Sequence, residues 1–120
     1  MEVHTVQLSN SKLANQLGVP VIDITVKSGN RAFAPTWDMV LDVKSGKITP
    51  NEYTSRYIGM MDESRLANPE EWKVLMSTPS VALGCYCKPG EFCHRHLLST
   101  YMANLAIAEG NEVIMMGEIE

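Results

Sequence analysis

Ser80-Val81-Ala82-Leu83-Gly84-Cys85-Tyr86-Cys87 is a nearly continuous apolar run of strand length. Runs of this kind belong to strands covered on both faces, which places this one at the centre of a sheet with helices packed on it. The loop Lys88-Pro89-Gly90-Glu91-Phe92 follows. From Cys93 to about Glu109, the residues Leu97, Leu98, Tyr101, Met102, Leu105 and Ala108 then recur at helical spacing. Gly110 ends that helix, and Glu112 to Met116 returns as a last strand.

Upstream of the central run, Val3 to Leu8 reads as a strand, and Ser9 or Asn10 caps a helix over Lys12 to Leu17 that Gly18 stops. Val21 to Lys27 is rich in β-branched residues; its alternation puts Ile22, Ile24 and Val26 on one face and Asp23, Thr25 and Lys27 on the other. Ser28 to Pro35 is a turn-rich loop, after which Thr36 caps a short helix from Trp37 to Val43. Thr49 as cap and Pro50 as first helical residue open a helix to about Met61, with Tyr53, Tyr57 and Met60 or Met61 as its apolar stripe. A further helix, Pro69 to Met76, takes Asn68 as cap and Glu70 and Glu71 at its positive end. The order β-α-β-α-α-α-β-α-β predicts an α/β fold, a small sheet of about four strands covered by helices, in a single domain spanning 1–120.

Composition narrows the function. A net charge of −4 over 120 residues argues against a surface that grips duplex nucleic acid through many phosphates. The first ten residues have no basic segment followed by an apolar core, and no apolar run approaches the ~20 residues of a membrane helix, so a cytoplasmic protein is expected, with no membrane partner. The three cysteines all fall between Cys85 and Cys93, which is no disulfide framework of a secreted fold; they are expected as reduced thiols.

The segment Cys85 to His96 therefore concentrates the chemistry. It lies where a buried strand ends, a loop turns and a helix begins, the place where open α/β sheets take ligands. The first amides of the helix have no internal partners and favour an anion. Arg95 and Lys88 would hold that anion with them, and Lys27 and His96 add donors around it. Cys93, at a helix N-terminus among cationic neighbours, is the candidate nucleophile, with His94 beside it, and Asp23 would orient Arg95 or a histidine. Trp37 or Tyr57 could stack a nucleobase. The expected partner is thus a small phosphate-bearing ligand or nucleotide, although the loop is neither a Walker motif nor a Gly-x-Gly-x-x-Gly turn.

Two other readings compete. Zinc would suit Cys87, Cys93 and one histidine, leaving an open position; against it, Cys85-x-Cys87 lacks the usual two-residue knuckle, and His94 and His96 diverge on a helix. No metal or other cofactor is expected on the leading reading, with zinc as the alternative. The plainest reading makes Cys85 and Cys87 small core residues and Cys93-His94-Arg95-His96 an ordinary helix start. A non-catalytic interaction or regulatory protein with a structural or zinc-binding Cys/His cluster is the corresponding alternative function.

The apolar strand ending in cysteine, the short loop and Cys93-His94-Arg95 resemble the signature of the YeaO-like family, domain of unknown function 488. Ile22-Asp23 with Thr25-Val26-Lys27 resembles that family's Asp-x-Arg strand, and Trp72 before the cysteine strand also fits. The sequence departs from the pattern in Thr25 at the arginine position, in its second strand cysteine and in His96. The short chain and the Phe33-Ala-Pro-Thr-Trp37 loop look similar to compact phage-encoded members. The resemblance implies a Rossmann-like α/β fold with a site at Cys93, His94 and Arg95.

Overall fold

The computed structural model describes residues Met1–Glu120. Its strands are β1 (Glu2–Gln7), β2 (Val21–Asp23), β3 (Ser80–Cys85) and β4 (Ile114–Ile119); its helices are α1 (Ser11–Gln16), α2 (Trp37–Lys44), α3 (Pro50–Ala67), α4 (Pro69–Ser77) and α5 (His94–Ala108). The strands form one four-stranded sheet in the order β2-β3-β1-β4, and every pairing is parallel. Parallel neighbours need crossovers, and the helices supply them. As the apolar run predicts, β3 is an inner strand, buried from Val81 to Cys85. No helix is long and apolar enough to cross a membrane.

Side-chain parity divides the core. Val3, Val81 and Leu83 point to the face covered by α3, α4 and α5, where they meet Tyr57, Met61, Trp72, Leu75, Leu98 and Met102. Val6, Ala82 and Ile119 share a smaller core on the other face with Ala14 of α1 and Val19. Cys85 has the parity of Leu83, so its sulfur faces α5. The loop before α2 is pinned from beneath: Tyr57 Oη donates to the Phe33 carbonyl at 2.6 Å, Ser64 Oγ donates to the Ala32 carbonyl, and Trp72 Nε1 donates to Ser64 Oγ at 3.0 Å.

Several boundaries differ from expectation for local reasons. The strand expected over Val21 to Lys27 stops at Asp23 because the Asp23 carboxylate captures the Thr25 N–H at 2.9 Å and the Thr25 hydroxyl at 2.7 Å, turning the chain. Asp23, Thr25 and Lys27 are therefore no strand face. Helix α3 continues past Met61 to Ala67; its buried stripe turns polar at Ser64, so the apolar pattern stops short of the helix end. Neither Asn10 nor Asn68 caps with its side chain, whereas Thr36 accepts from the Met39 N–H, and Thr49 forms a reciprocal capping box with Glu52. The last strand begins at Ile114 and runs to Ile119.

Strand β4 holds one irregularity that matters below. Val3 pairs with Met115 but His4 pairs with Gly117, so Met116 is bulged out. Gly117 supplies the positive φ of 86° at this point. The extra residue exchanges the faces of all that follows, aligning Glu118 with Thr5 and Ile119 with Val6.

Candidate functional site

A pocket of about 340 Å³ lies past the C-terminal ends of β2 and β3. Its walls are the turn from Thr25 to Lys27, one side of α2 (Trp37, Val40, Lys44), Tyr53 of α3, and the aromatic rings of Tyr86 and Phe92. Cys85, Cys87, Cys93 and His94 close it on the side of β3 and α5. The geometry follows from the sheet: a parallel strand ends, its loop turns outward, and the next helix starts with its free amides at the same edge.

Cys85, Cys93 and His94 are all buried, and their sulfur and ring-nitrogen atoms lie within 4.8 Å of one another. Cys93 is extended (φ −153°, ψ 145°) and is the N-cap of α5, while His94 is already helical. This change of backbone conformation brings adjacent side chains to one side, with Cys93 Sγ 3.8 Å from His94 Nδ1. The Cys85 and Cys93 sulfurs touch although their Cα atoms are 7.9 Å apart, beyond the roughly 4.4–6.8 Å of ordinary disulfides. A bridge at that separation would require the backbone to move, so the two are thiols brought to one point.

His94 has a fixed tautomer. Its Nε2 lies 2.6 Å from the Ile24 carbonyl, which can only accept, so Nε2 carries the proton and Nδ1 presents its lone pair toward Cys93. Burial pushes its pKa down to about 4; the bond to the Ile24 carbonyl opposes this, and the weaker effects of Arg95, downward, and Asp23, upward, do not reverse it. The imidazole is thus neutral at neutral pH, with its Nδ1 lone pair free for a hydrogen bond or a metal.

Arg95 is fully buried. Its Nε and Nη2 donate to the two oxygens of Glu118 at 3.2 and 3.1 Å, and Nη1 donates to Cys85 Sγ at 2.8 Å and to the Cys87 carbonyl at 3.0 Å. Glu118 also accepts from Thr5 Oγ1 at 2.6 Å. The guanidinium is spent on fixing the end of β3 and placing positive charge against the Cys85 sulfur. The acid that orients it is Glu118; Asp23 instead accepts from Thr25 and Ser28, and Tyr86 Oη hydrogen-bonds Ser28 Oγ at 2.8 Å. Partial burial raises the Asp23 pKa, but the bonds from Ser28 and Thr25 outweigh it and leave the carboxyl below its ordinary value.

Of the residues expected at the site, Cys93, His94 and Lys27 line the pocket, with the Lys27 Nζ 5.7 Å from the Tyr86 ring centroid. Arg95 and Asp23 stand behind it. Lys88 is exposed on the loop and does not line it, and half-buried His96 has its pKa lowered by burial and by Arg95, partly offset by Glu118. Trp37 is on the wall, half-exposed, whereas Tyr57 is core. In the sulfur cluster Cys85 takes the place expected of Cys87, because β3 ends at Cys85 and the two no longer share a strand face. The sequence reads Cys85 only as a small core residue or one half of a Cys-x-Cys pair, and it does not single out Glu118, Tyr86, Phe92 or Lys44. Strand parity with Val81 and Leu83 is a signal that points Cys85 toward α5; Glu118 gives none, since its direction depends on the bulge.

A family model described as "Active DUF488-N3 subclade" matches residues 16–105. The chain belongs to the DUF488 family. No curated protein and no solved structure matches it. The DUF488 match runs from the end of α1 through most of α5 and so contains the whole pocket and the Cys85–Cys93–His94 cluster; β1 and β4, with Thr5 and Glu118, lie outside it.

Proposed function

We propose that this DUF488 protein binds a small planar ligand bearing phosphate or another anion, of nucleotide type, and that Cys93 and His94 act on it at the pocket floor. The observation that carries this reading is the composition of one concavity: aromatic walls, lysines and a thiol-imidazole pair converge on a volume within the usual range of small-ligand sites, about 300–1,000 Å³. Trp37, Tyr86 and Phe92 offer faces and edges to a base. Lys27 and Lys44 are the cations that line the pocket, so the anion-holding role belongs to them, and Arg95 positions Cys85 from behind. The neutral His94 turns its Nδ1 lone pair toward Cys93 and so fixes the direction of the thiol. The description of the subclade as active supports assigning chemistry to these residues.

Isothermal titration with nucleosides and their mono- and diphosphates tests this. Trp37→Ala should weaken phosphorylated and unphosphorylated ligands alike, by about tenfold, as the loss of one stacking partner does. Lys27→Ala and Lys44→Ala should weaken only the phosphorylated ones. Absence of binding across the panel would sink the reading. The burial of all three cluster residues favours one alternative, a non-catalytic interaction protein whose Cys/His cluster is structural. That alternative expects inert thiols and no stabilisation by any ligand.

A further inference from the structure

We propose that Cys85, Cys93 and His94 bind one zinc ion whose fourth coordination position opens into the pocket. The inference concerns the floor of the pocket described above; it rests on the ligand-binding reading only for what would occupy that fourth position, and it gives Cys93 and His94 the role of metal ligands in place of a free thiol-imidazole pair. Zinc takes thiolate sulfur at about 2.3 Å and imidazole nitrogen at about 2.0–2.1 Å in tetrahedral array, which sets neighbouring ligand atoms roughly 3.3–3.8 Å apart. The three donor atoms already lie within 4.8 Å of one another, so side-chain adjustments of about 1 Å complete the array. Two sulfurs and an imidazole suit zinc and disfavour magnesium or calcium, which take oxygen ligands.

The groups behind the donors match those of a metal centre. Metal-bound histidines generally donate their second ring N–H to a carbonyl or carboxylate, and His94 gives its Nε2–H to the Ile24 carbonyl, leaving Nδ1 for the ion. Arg95 donates to Cys85 Sγ, and Glu118 holds that guanidinium in a two-bonded ion pair. The charges then close locally: two thiolates balance Zn²⁺, and Arg95 balances Glu118, so the buried cluster carries no net charge. The alternative use of the two sulfurs, a disulfide, is disfavoured by the 7.9 Å between the Cα atoms. Because Cys85, Cys93 and His94 all line the pocket, the position left open faces a ligand or water, as in zinc sites with three protein ligands.

The test uses the untagged, full-length reduced protein with no organic ligand present, so failure of nucleotide binding leaves its outcome unaffected. Plasma mass spectrometry should find zinc stoichiometric with chain. Cobalt added to chelator-treated protein should produce tetrahedral visible bands and a thiolate-to-cobalt charge-transfer band. Cys85→Ser and Cys93→Ser should lose most of the metal, while Cys87→Ser retains it. Should the serine variants fail to fold, the cobalt spectrum of the unaltered chain decides. The proposal is overturned by reduced protein that takes up neither metal, by Cys87→Ser losing zinc as fully as the other two, or by a native Cys85–Cys93 disulfide in its place.

Discussion

Arg95 shows how far a residue's type leaves its role open. An arginine just inside a helix N-terminus beside a glycine loop suggests an anion holder, yet this guanidinium is fully buried and its partners are Glu118, Cys85 and Cys87. Removing one member of such a pair leaves the other charged and unmatched in low dielectric, at a cost of about 3–5 kcal/mol. Arg95→Met and Glu118→Leu should each lower the urea-unfolding free energy by about 3 kcal/mol, and the double variant should lose clearly less than the sum. Additive losses would mean the two side chains do not depend on each other, and an unchanged midpoint for Arg95→Met would show that the buried pair contributes no net stability. The position of the candidate pocket was legible because Cys93-His94-Arg95 lies on a strand-loop-helix junction that local pattern reveals. Which cysteine joins the cluster was not, since that turns on whether β3 ends at Cys85 or Cys87.

At the level of elements, legibility followed the range of the deciding interaction. Thr36 and Thr49 act on amides three residues away, so α2 and α3 start where their sequences predict. The expected end of β2 failed because Asp23 offers the backbone a side-chain acceptor that strand alternation ignores. The turn this creates is tight: the Gly29 N–H donates to the Thr25 carbonyl at 2.9 Å, and a Cβ on Gly29 would collide with the Asp23 carbonyl oxygen and the Thr25 nitrogen, both backbone atoms. Gly59, in contrast, is an exposed position inside α3 where a Cβ would meet nothing. Gly59→Ala should therefore stabilise the protein by about 0.5–1 kcal/mol. Gly29→Ala should cost about 1–3 kcal/mol and, by displacing Ile24 and Lys27, weaken the pocket as well. Thermal unfolding of the two variants separates the cases; a neutral Gly29→Ala would show that the turn can relax without the contacts described.

Across the whole molecule, the pocket is built from the middle of the sequence, Thr25 to His94, while the strands that support it from behind, β1 and β4, come from its two ends. The pocket lies within the DUF488-matching residues 16–105, but the carboxylate that holds Arg95 arrives from β4, and Thr5 of β1 fixes that carboxylate in turn. Strand β4 is otherwise a poorly covered edge: Ile114, Met115 and Met116 are all exposed, and its inward contributions are Glu118 and Ile119. Its effect on the site should accordingly pass through Glu118. Replacing Ile114, Met115 and Met116 together with Thr should change global stability little, about 0.5 kcal/mol per exposed site at most, and leave the cluster closed. Glu118→Ala should free Arg95 from its place against Cys85 and raise the labelling rates of the Cys85 and Cys93 thiols in chelator-treated protein by about tenfold or more, the factor that corresponds to about 1.4 kcal/mol of lost local stability. Mass spectrometry of peptides after timed alkylation reads both thiols, with the unaltered protein labelled in parallel as the reference. Faster labelling in the threonine variant than in Glu118→Ala would show that the edge strand protects the site by covering the sheet, and that the Thr5–Glu118–Arg95 chain of contacts is incidental to it.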